Sequence, residues 1–190
     1  MESLPDGETP VIRQLSTRLV YENPWLSVRE DRIERPDGSA GIYSVVDRPD
    51  YAVVIASEND GFHLVDQYRY PISGRYWEFP QGCFPYPKTG TPEELARAEL
   101  AEETGLRAGK LVALGRLFGW QGASGQAFTS FLATELVQGE TAREHEEQDM
   151  RHRWVTRAEF ERMITGGAIM DNSTVAAYAL LQLHERIPDC

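Results

Sequence analysis

The pattern of apolar and polar positions divides the chain into a short β-rich opening and a longer region in which strands and helices mix. Runs with strand character cover residues 16–21, 25–33 and 42–47. They are separated by Glu22-Asn23-Pro24 and by Arg35-Pro36-Asp37-Gly38, turn-formers through side-chain hydrogen bonding, a fixed proline φ or a permissive glycine. This spacing predicts an antiparallel meander. Residues 52–56 and 62–70 are apolar and β-rich on either side of Asn59-Asp60-Gly61, which reads as a hairpin, and residues 77–79 continue its sheet. Further strands are predicted at 111–117, 128–136 and 152–155, and helices at 91–106, 156–165 and 173–186. Thr156, with Glu159 three residues on, predicts a capping box for the second helix. The expected organisation is a disordered tail over residues 1–10, a small antiparallel β region over 11–48 and a main domain over 49–190, of class α/β (α+β). No internal repeat or low-complexity tract interrupts it.

Composition narrows the range of functions. A chain of 190 residues can bury roughly 70% of its unfolded surface, enough for one substantial domain with a small appendage. The formal charge of −11 and a pI near 4.8 argue against non-specific binding to nucleic acid or to a membrane surface, and there is no basic arm. Nowhere do 18 uninterrupted apolar residues occur, and the acidic, polar start lacks the apolar stretch of a signal peptide. Cys83 and Cys190 are the only cysteines, too few for a disulfide framework and without zinc spacing, so a reducing cytoplasm is the expected compartment.

The densest chemistry lies in residues 91–106. Thr91 is a good N-cap, Pro92 suits the first helical position, Glu94 completes a capping box and Gly105 supplies the stop. At about 100° per residue, Glu99, Glu102 and Glu103 project within an arc of about 100°. Like charges three and four apart repel, and the last turn of a helix disfavours anions. A divalent cation bound at that face reverses the sign of each term; a solvated acidic helix is the alternative for the same residues. Just upstream, Trp77-Glu78-Phe79-Pro80-Gln81-Gly82 reads as a strand ending in a Pro-x-Gly turn.

Strand, turn, loop and acidic helix together resemble the Nudix hydrolase family, whose signature reads G-x5-E-x7-R-E-U-x-E-E-x-G-U, with U a bulky aliphatic residue. Residues 99–106, Glu-Leu-Ala-Glu-Glu-Thr-Gly-Leu, fit the second half without a gap, and Gly82 fits the opening glycine. The arginine position holds Ala98, the mid-loop glutamate position holds Gly90, and the loop is two residues longer than the pattern. In the family these two groups brace each other by salt bridging, so their joint loss leaves neither charge stranded. Arg97 points about 160° away from Glu99 around the helix and cannot replace the arginine. Pro85, Pro87 and Lys88-Thr89-Gly90 are expected to stiffen the longer loop.

The order of elements is similar to the ADP-ribose pyrophosphatase-like branch of that family, which implies an α/β/α sandwich with a mixed central sheet, preceded by an N-terminal β region that forms a homodimer. The resemblance implies Mg²⁺ or Mn²⁺ as cofactor, with Glu99 and Glu103 as principal ligands, Glu102 as ligand or supporting carboxylate, and the carbonyl of Gln81 as a further donor. It places Arg69 against the diphosphate, with Trp77, Glu78 and Gly82 at the same substrate site; a surface salt bridge for Arg69 and a hydrogen-bonded strand-edge carboxylate for Glu78 are the plainer alternatives. It assigns a general base to the acidic run 144–149, with Glu144, Glu146 and Glu147 as candidates beside Glu103, where a solvated loop is the alternative. Tyr21, Trp25 and Tyr43 are aromatic candidates for interface or pocket, or plain core. The glycine-rich stretch 120–126 lies where the branch shapes specificity, and without a GK[ST] ending it is no P-loop. The implied reaction is metal-dependent cleavage of ADP-ribose or a nucleotide sugar to a nucleoside monophosphate and a sugar phosphate. The alternatives are a Nudix-fold module that binds a nucleotide without hydrolysing it, and a hydrolase of nucleoside triphosphates or coenzyme A.

Overall fold

The computed structural model describes residues 11–84, 90–140 and 149–187. The described residues fall into two compact units, those of 11–49 with 120–126, and those of 50–119 with 127–187.

The smaller unit is the meander: β1 (Arg13–Glu22), β2 (Ser27–Glu34) and β3 (Ala40–Asp47), antiparallel and adjacent in that order. Its turns follow from side chains. The Asn23 carboxamide oxygen accepts the N–H groups of Trp25 and Leu26, both at 2.9 Å. In the second turn Gly38 takes φ 81°, and the Asp37 carboxylate accepts the Ser39 N–H at 2.9 Å. Residues 120–126 join this unit through Tyr43, whose hydroxyl donates to the Gly122 carbonyl at 2.9 Å, and through Val46, whose N–H donates to the Ala123 carbonyl at 2.8 Å. All of β1 is exposed, Leu19, Val20 and Tyr21 included.

The larger unit is built on a seven-stranded mixed sheet in the order β10-β5-β4-β9-β8, with β6 beside β5 and β7 beside β4. Its elements are β4 (Tyr51–Glu58), β5 (Gly61–Arg69), β6 (Gly74–Glu78), β7 (Gln81–Gly82), α1 (Pro92–Thr104), β8 (Leu106–Phe118), β9 (Ala127–Gln138), β10 (Arg151–Thr156), α2 (Arg157–Thr165) and α3 (Asn172–Arg186). The β4–β9 pair is parallel and the other pairs are antiparallel. Strand β4 is apolar on both faces because it is covered twice, as a central strand must be. Val53 and Ile55 join Phe62, Phe79, Phe160, Tyr178 and Leu181 under α2 and α3, whereas Ala52, Val54 and Ala56 join Leu95, Leu100 and Phe131 under α1. Helices on both faces of a mixed sheet match the expected fold class.

Local signals are realised closely. Asn59 and Asp60 both adopt positive φ, 50° and 53°, as a two-residue hairpin turn with the twist of its strands requires. Gly61 opens β5 as a glycine because a Cβ there would meet the Val155 carbonyl at 2.3 Å. Helix α1 has its full capping box: the Thr91 hydroxyl accepts the Glu94 N–H at 3.2 Å, and the Glu94 carboxylate accepts the Thr91 N–H at 2.7 Å. Gly105 ends α1 at φ 76°. Three readings change. Strand β8 begins at Leu106 rather than 111, pairing with the far end of β9 despite Gly109 and Lys110. Strand β5 ends at Arg69, and Tyr70–Ile72 form a 3₁₀ turn around Pro71. Thr156 caps α2 as expected, but the Glu159 carboxylate, which was to complete the box, instead lies 3.3 Å from Arg153. Among the described residues no helix is long and apolar enough to cross a membrane.

Candidate active site

The acidic edge of α1 meets the short turn between β6 and β7. Pro80 has no N–H to give to the sheet, so β6 stops before it, and its carbonyl instead accepts the Val54 N–H at 2.9 Å, pinning the turn to β4. Gly82 follows against the Glu99 side chain, and a Cβ on Gly82 would lie 2.4 Å from a Glu99 carboxylate oxygen. A larger residue there would displace that carboxylate from its present position. Gln81 donates its backbone N–H to Glu103 at 3.2 Å. Glu103 is fully buried in the last turn of α1, where the helix dipole disfavours an anion, while Glu99 and Glu102 are half-buried. Two residues of one turn thus address two carboxylates one helical turn apart.

The two positions that depart from the family signature have their own packing. Ala98 is half-buried. At Gly90 a Cβ would lie 2.6 Å from the Phe84 ring. Arg97 points away from the acidic edge, as its place on the helix predicts: it pairs with Glu93 at 2.9 Å and donates to the Ala108 carbonyl at 2.8 Å. Pro85, Pro87, Lys88 and Thr89 lie outside the described residues, as do Glu144, Glu146 and Glu147.

A second group of polar side chains gathers where β5 and β6 end. Arg69 forms an ion pair with Glu78, to which Gln67 also donates at 3.3 Å. Glu78 is only 3% exposed. Its burial outweighs the attraction of Arg69 and, with the nearby Asp171 carboxylate adding repulsion, pushes its carboxyl up to about 7. Asp171 accepts the Gln81 side-chain N–H at 3.1 Å, which links this group to the turn that touches Glu103. A cavity of about 200 Å³ opens here, lined by the polar Arg69, Glu78, Asp171 and Asn172 and by Ile72, Tyr76 and Met170. It is smaller than the roughly 300–1,000 Å³ that encloses a drug-sized ligand, so it suits one end of a larger molecule.

The structure therefore brings Glu99, Glu103, Gln81 and Gly82 together, and Arg69 with Glu78 beside them. Trp77 faces elsewhere: its ring lies 4.5 Å beneath the Arg153 guanidinium and against the α2/α3 core, and it does not line the cavity. Asp171, Met170 and Asn172 were not signalled by any site motif, although Asp171-x-x-Thr174 is legible as a helix start. Among the described residues no three His, Cys, Asp or Glu side chains are already drawn together as a metal cage. The donor chemistry nevertheless fits a hard divalent cation: carboxylate oxygens of Glu99, Glu102 and Glu103 on one helix edge, and a turn whose glycine leaves space at Glu99.

Known proteins resemble this chain over most of its length. Residues 12–46 match the model of a nucleoside diphosphate sugar hydrolase N-terminal domain, and residues 47–175 match that of the NUDIX domain. The chain is 30% identical over 165 residues to an ADP-ribose pyrophosphatase of Mycobacterium tuberculosis, covering 85% of this chain and 79% of that one. It is 27% identical over 177 residues to an ADP-ribose pyrophosphatase of Bacillus subtilis, covering 92% and 95%. The crystal structure of an ADP compounds hydrolase superposes with a TM-score of 0.80 at 18% identity, over 92% of this chain and 94% of that one, a likeness of fold.

Proposed function

The chain belongs to the Nudix family of hydrolases, and from that premise we propose that it cleaves the diphosphate of ADP-ribose or a related nucleotide sugar in a reaction that requires Mg²⁺ or Mn²⁺. The observation that carries this reading is the pairing of the β6–β7 turn with α1, Gln81 on Glu103 and Gly82 on Glu99. Glu99 and Glu103 would hold the ion, Glu102 would ligate or support it, and the Gln81 carbonyl is the further donor. When bound, the ion polarises the phosphoryl oxygens and lowers the pKa of a coordinated water. Arg69 presents a planar array of N–H donors suited to a phosphoryl group, and Glu78 orients that guanidinium through their ion pair. Water attacks one phosphorus, the bridging P–O bond breaks, and a nucleoside monophosphate and a sugar phosphate leave; Glu144, Glu146 or Glu147 is the proposed base that takes the proton of the water. The exposed Leu19, Val20, Tyr21 and Ile42 of the smaller unit support a homodimer, and the low cysteine content supports a cytoplasmic location.

The test is product analysis of purified protein incubated with Mg²⁺ and ADP-ribose, GDP-mannose or UDP-glucose. Release of AMP and ribose 5-phosphate from ADP-ribose is the expected result. Calorimetric binding of the nucleotide without metal-dependent product would instead identify a binding module.

A further inference from the structure

We propose that Asp171 is a positioning residue, acting on the reaction through the side chain of Gln81. The segment from residue 77 to 81 is tethered on one side at three alternate positions. The Trp77 N–H donates to the Ala168 carbonyl at 3.0 Å, the Phe79 N–H donates to the Thr174 hydroxyl at 3.0 Å, and the Gln81 carboxamide donates to Asp171 at 3.1 Å. Two backbone N–H groups of this segment and the Gln81 side chain thus find their acceptors within residues 168–174, the turn before α3 and its first turn. From the other side, Gln81 gives its backbone N–H to Glu103, and Pro80 is fixed to Val54. Gln81 is thus held between α3 by its side chain and α1 by its backbone.

The same Asp171 oxygen, Oδ2, that takes the Gln81 N–H also caps α3, accepting the Thr174 N–H at 2.7 Å. Capping alone does not require aspartate, since serine and asparagine cap equally well. What aspartate adds over serine is the reach to Gln81 while it caps α3. Rotation of the Gln81 side chain away from Asp171 would release the peptide that contacts Glu103, and with it the alignment of the α1 carboxylates.

This inference rests on the proposed metal-dependent hydrolysis, and its test separates the two. Asp171→Ser retains a cap but is too short to reach Gln81; Asp171→Asn retains both cap and reach. The measurements are kcat, KM and, without substrate, Mn²⁺ affinity by calorimetry. Loss of a residue that orients a ligand typically costs about 10–100-fold in metal affinity or activity. Asp171→Ser is therefore expected to weaken Mn²⁺ binding and lower kcat by at least about tenfold with the thermal midpoint retained. Asp171→Asn is expected to restore most of both, and Gln81→Ala to match Asp171→Ser, with the double variant no worse than either single one. Wild-type Mn²⁺ affinity in Asp171→Ser, additive losses in the double variant, or no recovery in Asp171→Asn would overturn the proposal. If the wild-type protein turns over no substrate, the hydrolase reading fails, while the Mn²⁺ titrations still decide the role of Asp171.

Discussion

Glu103 and Glu78 are the two most deeply buried carboxylates among the described residues of the larger unit, and they are held in different ways. Glu78 lies against a guanidinium from its own chain, that of Arg69. Glu103 receives a backbone N–H from Gln81 at the unfavourable end of a helix, with two further glutamates along the same edge. Under the proposed function the two are served differently: at Glu78 Arg69 supplies a positive charge, whereas along the α1 edge a divalent cation would supply one. Burial still dominates at Glu78, whose carboxyl is raised to about 7 even with Arg69 beside it. A nearby cation does not cancel desolvation when the carboxylate is almost wholly enclosed.

Chelation should separate the behaviour of the two carboxylates most sharply. Removing divalent cations is expected to lower turnover by at least about 10³-fold, the several kcal/mol that a metal contributes to stabilising transition-state charge, and Mg²⁺ should restore it. The thermal midpoint should also rise with Mg²⁺, by about 2.7 kcal/mol of stability at a hundred times Kd. Next in size, Arg69→Ala should reduce kcat/KM for ADP-ribose by roughly 10–100-fold, the value of a charged hydrogen bond, while leaving Mn²⁺ affinity unchanged. A matching fall in Mn²⁺ affinity would show that the two regions are one.

Glu78 offers a pH test of the same contrast. Its folded-state value, about 7, lies above the ordinary 4.5, so the folded protein holds this proton more tightly than the unfolded chain. The associated stability is present in full below about 4.5 and is lost as pH rises through about 7, an effect of about 3 kcal/mol for a shift of this size. Glu78→Gln removes the ionisation, so its thermal midpoint relative to wild type should be higher at pH 8 than at pH 5; an equal difference at both would refute the shift. The smallest effect is expected for Arg97→Ala, which breaks an exposed pair worth about 0.3–0.5 kcal/mol and should leave turnover unchanged. A large loss of turnover would mean that Arg97 braces the glutamates after all.

What could be read from the sequence follows the same division. The α1 edge was legible because its cap, its stop and Glu99, Glu102 and Glu103 lie within one helix, where spacing alone fixes their relation. The Asn59-Asp60 turn was legible for a similar reason, being a local demand on the backbone. The other group is assembled from Arg69, Glu78 and Asp171, and the separation of Asp171 from the rest hid its part in holding Gln81. Trp77 shows the converse: it is next to Glu78 in sequence, yet the alternation of a strand turns its ring to Arg153. Glu159 chose Arg153 over its own helix terminus, and β8 extended over Gly109 and Lys110 because β9 offered partners there. In each case a long-range contact overrode a local preference.

Under the proposed function Glu103, buried under the Gln81 N–H, belongs to a metal site that turns over substrate. The most direct measurement compares ADP-ribose hydrolysis by wild type and Glu103→Gln across a Mg²⁺ titration, with circular dichroism confirming that both are folded. A folded Glu103→Gln protein with turnover lowered by about 10³-fold at every Mg²⁺ concentration is the predicted result. Wild-type turnover at saturating Mg²⁺ in that variant would contradict the account.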